Sequence, residues 1–182
     1  MEIQTFPPDS KISFSVILPK QCHGLKIVEI ITGQEDLTDC DGVWTRNKDF
    51  ILGIKTADCA PVCFSDSEKF GILHAGWRGL VSGICEKMLD IFNSPETEIF
   101  VGPMLPEFEI KKDSCYEAIS QKFGSQFFVE KDDEIIFKFK DALASILPKA
   151  VFDPRTTFGD QSLSSWRRDK IRNQNNTTII KS

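Results

Sequence analysis

The chain of 182 residues contains two histidines, and each sits in a short run of residue types suited to metal or nucleophile chemistry. His23 lies in Gln21-Cys22-His23-Gly24. His74 opens His74-Ala75-Gly76-Trp77-Arg78-Gly79, downstream of Thr56-Ala57-Asp58-Cys59. Two imidazoles and a thiolate make a borderline-soft donor set, suited to zinc with a fourth position open. If His23, Cys59 and His74 converge in space, the result is a catalytic site. If they do not, a buried cysteine and a hydrogen-bonded core histidine are the ordinary alternatives.

The stretch from His74 to Gly79 is the richest. A strand running into glycines and then a helix offers free backbone N–H groups to an anion, and Arg78 adds a fork of donors matched to phosphate. A tight turn with a surface ion pair is the plainer alternative. In an extended chain Gln21 and His23 share a face and Cys22 points away. By the same alternation Asp58 points away from Cys59, which suits it to orienting an imidazole or the turn. Cys115 in Asp113-Ser114-Cys115-Tyr116-Glu117 opens a helix, where packing is the favoured role over an activated thiolate. Cys22, Cys40, Cys63 and Cys85 show no partner logic and read as packing residues. Ser165-Trp166-Arg167-Arg168-Asp169-Lys170 could hold an anion or a substrate ring, or form a solvated basic turn.

Several elements must position these groups. Ile12–Leu18 alternates like a strand, and Lys26–Thr32, Phe50–Lys55, Pro61–Phe64 and Phe70–Leu73 are β-rich runs. Leu80 to Phe92 reads as a helix, with Leu80, Ile84, Met88 and Ile91 on one face. Glu98–Val101 is a strand closed by Gly102-Pro103. Ser114–Phe123 and Lys140–Leu147 read as helices, with Glu134–Phe137 and Thr177–Ile180 as further strands. Strands and helices mix without strict βαβ alternation. The expected fold is α/β (α+β), a layered sandwich with a mixed β-sheet and outer helices. Residues 1–182 are expected to form a single domain.

Composition removes several function classes. No apolar run is long enough for a membrane helix, and the start, from Met1 to Pro8, lacks a basic segment and an apolar core. A cytoplasmic location is therefore expected. In that setting the six cysteines are ligands, nucleophiles or packing rather than disulfides, and no CxxC pair supports a zinc ribbon. A net charge of −5 argues against a broad nucleic-acid surface.

Taken in order, QxHG, DG, TADCxP, HAGWRG, GP, CYE and SxRRD resemble the laccase-domain purine nucleoside phosphorylase family. That family is also known as multicopper polyphenol oxidase and peptidoglycan editing factor. The matches are Gln21/His23/Gly24, Asp41-Gly42, Thr56–Cys59 with Pro61, His74–Gly79, Gly102-Pro103, Cys115–Glu117 and Ser165/Arg167–Asp169. Trp166 stands where the family has a tyrosine. The resemblance implies zinc held by His23, Cys59 and His74, on a layered fold shared with toxin-type cysteine hydrolases. It also implies phosphorolysis of adenosine, inosine and S-methyl-5′-thioadenosine, with adenosine deamination as a second activity.

On this reading His23, Cys59, His74 and Arg78 are the catalytic candidates. Gln21, Arg78, Gly79, Arg167 and Arg168 are the candidate substrate and phosphate contacts. The partners are a purine nucleoside and phosphate, with no nucleic acid and no membrane. The His-x-Glu signature of zinc deaminases is absent, so no proton shuttle is identified. Two alternatives stand beside it: a metal-free Cys59/His74 hydrolase or amidase, for example in peptidoglycan precursor editing, and a zinc-binding protein without catalysis. Copper is the weaker metal, because two histidines and scattered thiols cannot furnish several copper sites.

Overall fold

A computed structural model describes residues 1–131 and 134–182. Its centre is a six-stranded mixed sheet built on the hairpin of Ala60–Ser65 and Phe70–Ala75. The connecting turn is drawn tight by Asp66, whose Oδ1 accepts the backbone N–H of Glu68 and of Lys69, each at 2.9 Å. Cys40–Thr45 and then Lys26–Glu29 extend the sheet on one side, the latter pair parallel. Glu98–Val101, antiparallel, and Val151–Phe152, parallel, extend it on the other. In chain order these strands are β2 (Lys26–Glu29), β3 (Cys40–Thr45), β5 (Ala60–Ser65), β6 (Phe70–Ala75), β7 (Glu98–Val101) and β11 (Val151–Phe152).

Both faces of the β5–β6 hairpin are covered, and strand alternation decides which side chain meets which layer. Val62, Phe64, Leu73 and Ala75 pack toward the helices α1 (Trp77–Ser82) and α2 (Ile84–Ile91). Cys63, Phe70 and Ile72 pack toward a three-stranded antiparallel sheet of β1 (Glu2–Phe6), β12 (Asn176–Lys181) and β4 (Leu52–Thr56). His74 has the parity of Phe70 and Ile72, so it faces the β4 side. A third sheet of β8 (Phe108–Ile110), β10 (Glu134–Phe137) and β9 (Phe128–Lys131) closes one end beside α3 (Ser114–Phe123) and α4 (Phe139–Ile146). The mixed, layered α+β architecture is the expected one. No helix among the described residues is long and apolar enough to cross a membrane.

Three expected elements are corrected. Ile12–Leu18 forms only one bridge, Ile17 to Leu52, before Pro19, which has no N–H to continue a ladder. Its side chains still matter, because Val16 and Leu18 fill the space over Gly53. The strand from Lys26 stops at Glu29, since the Glu35 carboxylate takes the backbone N–H groups of Ile31, Thr32 and Gly33. The single helix from Leu80 is two, broken at Gly83 with φ +93°, a left-handed value that glycine adopts readily.

Candidate metal centre and its cleft

Asp41, fully buried on β3, organises the centre. Its Oδ1 accepts the backbone N–H of His23 at 2.9 Å and the Nδ1–H of His74 at 2.7 Å. Its Oδ2 accepts the backbone N–H of Cys22 at 3.1 Å and of Gly24 at 2.7 Å. One carboxylate therefore pins the whole loop from Cys22 to Gly24 and supports His23 in a left-handed conformation at φ +65°. Burial would raise the Asp41 carboxyl, but His74 and the backbone donors prevail and hold it below the usual carboxylate range.

Cys59 reaches the same point from the turn between β4 and β5. Its Sγ lies 3.9 Å from His23 Nε2. The two imidazole rings meet edge to face, centroids 4.6 Å apart. Burial raises the Cys59 thiol, yet His23 and His74 outweigh it and bring the group down to about 7. Burial lowers His74, while Asp41 and the neighbouring Cys59 sulfur lift it to about 9. With Nδ1 committed to Asp41, His74 keeps Nε2 for a ligand. The three residues form a thiolate and imidazole cluster rather than separate packing groups.

The donor set fits a metal. The ligand atoms of His23, Cys59 and His74 lie within 4.8 Å of one another. Donors on one tetrahedral zinc are about 3.5 Å apart, so small side-chain rotations suffice. Gly76 keeps the space open: a Cβ there would sit 2.9 Å from His23 Cδ2 and 3.1 Å from Cys59 Sγ. The Asp41–His74 pair is the carboxylate–histidine arrangement that orients metal-bound imidazoles. The sequence singles out Asp41 only inside the DG motif and offers Asp58 to orient an imidazole or the turn; it is Asp41 that orients the imidazole.

The cluster lines a cleft of about 910 Å³. In a chain of net charge −5, the cleft nevertheless carries Lys55, Arg78, Arg167, Lys170 and Arg172. Its acid besides the cluster, Asp58, has both oxygens engaged at 2.7 Å, by Thr157 Oγ1 and by the Arg167 backbone N–H. Arg78 lies over the Trp77 ring at 4.6 Å, and Arg167 over Phe108 at 4.8 Å. Trp166, 41% exposed, adds an aromatic surface on the rim. The cleft therefore offers cations and flat apolar faces beside the donor cluster.

The remaining candidates divide. Gln21 lines the cleft, but its amide is committed to β4, donating to Lys55 O at 2.8 Å and accepting from Lys55 N at 2.9 Å. Gly79 is buried inside α1, where a Cβ would press on Ile84 and the Gly24 carbonyl. Arg168 turns away from the cleft. Its guanidinium donates to the carbonyls of Thr157, Phe158, Asp160 and Leu163 and pairs with Asp169. The helix expected to present an anion site at its N-terminus spans only Trp77–Ser82. Cys63 and Cys85 are buried with thiols pushed up by burial. Cys115 is half-buried against the main core with its thiol raised by burial, as expected of a packing residue.

Purine nucleoside phosphorylase of Aquifex aeolicus is 28% identical over 176 residues, 91% of this chain and 82% of the relative. Purine nucleoside phosphorylase YfiH of Escherichia coli is 26% identical, over 83% of this chain and 68% of the relative. The crystal structure of hypothetical protein YfiH from Bacillus licheniformis superposes with a TM-score of 0.80 at 22% identity, covering 91% of this chain and 73% of that one. It shares the fold. The family model described as multi-copper polyphenol oxidoreductase laccase matches residues 9–178, and the chain belongs to that laccase-domain family.

Proposed function

We propose that the protein is a zinc-dependent purine nucleoside phosphorylase acting on adenosine, inosine and S-methyl-5′-thioadenosine, with adenosine deamination as a side activity. The observation that carries the reading is the convergence of His23, Cys59 and His74 in a cleft lined by cations. The names of the Aquifex aeolicus and Escherichia coli relatives support the same reaction class.

Phosphorolysis breaks the C1′–N9 bond of the nucleoside and forms a C1′–O bond to phosphate, so an anionic nucleophile must be held still beside the sugar. Arg78 and Arg167 are suited to hold it, because each guanidinium is stacked on an aromatic face and so loses less freedom on binding. Trp166, exposed on the rim, supplies a flat surface for a purine ring. Asp41 fixes the His74 tautomer, and Gly76 leaves the room the donors need. When bound, the metal supplies Lewis acidity for developing negative charge. His23, Cys59 and His74 would hold it. One thiolate and two imidazoles make one site rather than the several that multicopper chemistry needs, and zinc is the metal we propose for it.

A second reading rests on the line Asp41–His74–Cys59, with a buried carboxylate on Nδ1 at 2.7 Å and a thiol held at about 7. That line is also the layout of a metal-free thiol hydrolase. Iodoacetamide labelling located by peptide mass mapping separates the two. Under the zinc reading Cys59 resists labelling in metal-loaded protein and reacts after chelation. Rapid labelling of Cys59 in fully metallated protein, with parallel loss of activity, would favour the hydrolase.

A further inference from the structure

We propose that Asp58 is the positioning residue for the cationic arm of the cleft, acting through Arg167 rather than on substrate or metal. The inference rests on the phosphorolysis reading for its substrate.

Asp58 sits at φ +90°, a left-handed value uncommon outside glycine, in the turn that also presents Cys59. That conformation turns its carboxylate toward residues distant in sequence. Oδ1 accepts from Thr157 Oγ1 and Oδ2 from the Arg167 backbone N–H, both at 2.7 Å. The Asp58 carbonyl accepts from Leu105 N at 2.9 Å, which anchors the turn on its other side.

The recipient is the short helix α5 (Trp166–Asp169), whose first-turn N–H groups have no partners within the helix. Ser165 Oγ caps Arg168 N at 3.2 Å, and Asp58 caps the neighbouring N–H of Arg167 from across the cleft. From α5 the chain runs on through Lys170 to Asn175, and all six residues line the cleft. Arg168 fastens the preceding loop through backbone carbonyls. Thus one arginine of the tandem pair ties the arm to itself, and Asp58 ties it to the turn that carries Cys59. The Arg167 guanidinium, donating to Glu109 O at 2.9 Å, then faces the cleft from a fixed backbone. Glu109 and Phe108 hold the charged end of the side chain, and Asp58 holds its root.

The proposal predicts a graded series. Asp58→Ala removes both acceptors, whereas Asp58→Asn keeps an oxygen for Arg167 N–H and turns its amide toward Thr157 Oγ1, which can accept. Two readouts apply to the intact protein: binding of inorganic phosphate followed by tryptophan fluorescence, and the rate of trypsin cleavage after Arg167, Lys170 and Arg172, mapped by mass. Asp58→Ala should weaken phosphate binding roughly tenfold and speed cleavage at those sites, with zinc stoichiometry unchanged. Asp58→Asn should recover most of both.

Adding Asp58→Ala to Arg167→Ala should weaken phosphate binding by less than Asp58→Ala weakens it in the wild type, because part of the Asp58 effect runs through the Arg167 guanidinium. Additive losses, or wild-type cleavage and binding in Asp58→Ala, would overturn the proposal. Thr157→Val, which removes one donor, carries the same test if Asp58→Ala does not fold. A wild-type protein that binds no phosphate would defeat the phosphorolysis reading instead, and the trypsin series would still decide whether Asp58 holds the arm.

Discussion

The donor cluster and the arm from Thr157 to Asn175, which reaches the cleft at Trp166, Arg167 and Lys170 to Asn175, are built in opposite ways. The cluster hangs on sheet geometry. His74 lies next to last on β6, Asp41 lies on neighbouring β3, and four hydrogen bonds to that one buried carboxylate fix the His23 loop and the His74 ring. Apart from the single turn of α5 the arm is irregular chain, held by Arg168 on its own carbonyls and by Asp58 from outside. The contrast separates a rigid part suited to chemistry from a tethered part suited to recognising an anion. Rigid elements hold reacting groups more closely than loops do.

The strongest way to break the contrast is to remove a donor. His23→Ala, Cys59→Ala and His74→Ala should each lose the bound metal while circular dichroism shows the fold intact, since no sheet pairing depends on these side chains. Full zinc occupancy in all three would end the zinc assignment. Because His74 rests at about 9 and Cys59 at about 7, the metal must displace protons at neutral pH. Zinc affinity should therefore climb as pH rises toward 9, read by competition with a chelator.

The next effect lies one atom further out. Asp41→Asn keeps the shape but removes the charge that fixes the His74 tautomer, and should weaken zinc binding about 10–100-fold. Unchanged affinity would mean that His74 is oriented by packing alone.

Among the cleft cations and on the arm, the effects should be of similar size or smaller and should spare the metal. Arg78→Ala should raise the KM for phosphate by roughly 1.5–3 kcal/mol of lost binding, with deamination less affected. Arg168→Met should cost about 2 kcal/mol of stability by urea unfolding, because several carbonyls lose their donor. Loss of zinc in Arg168→Met would show that the two regions are not independent.

The sequence made the metal donors legible because residue type itself carries the chemistry, and only three motifs combine it. Asp41 was not legible in its role: an aspartate inside a strand says nothing about which imidazole faces it until β3 is paired with β6. Arg167 and Arg168 are indistinguishable in sequence. Only the carbonyls that surround one and the open cleft that faces the other separate them. Among the elements, β5, β6, β7, β10 and β12 were readable from apolar or β-branched runs. By contrast, β3 hides behind Asp41-Gly42, two residues that disfavour strands in isolation and here lie fully buried between two partner strands. The strands β1, β8, β9 and β11 are short and part-exposed, and long-range pairing rather than local pattern defines them.

The central claim is that this cleft transfers a ribosyl group to phosphate with a metal in place. Zinc-loaded protein incubated with adenosine and phosphate, with products resolved by chromatography, tests it most directly. The account predicts adenine and ribose 1-phosphate in equal amounts, abolished by omitting phosphate or by stripping the metal. Base release that is indifferent to phosphate and persists in metal-free protein would contradict it.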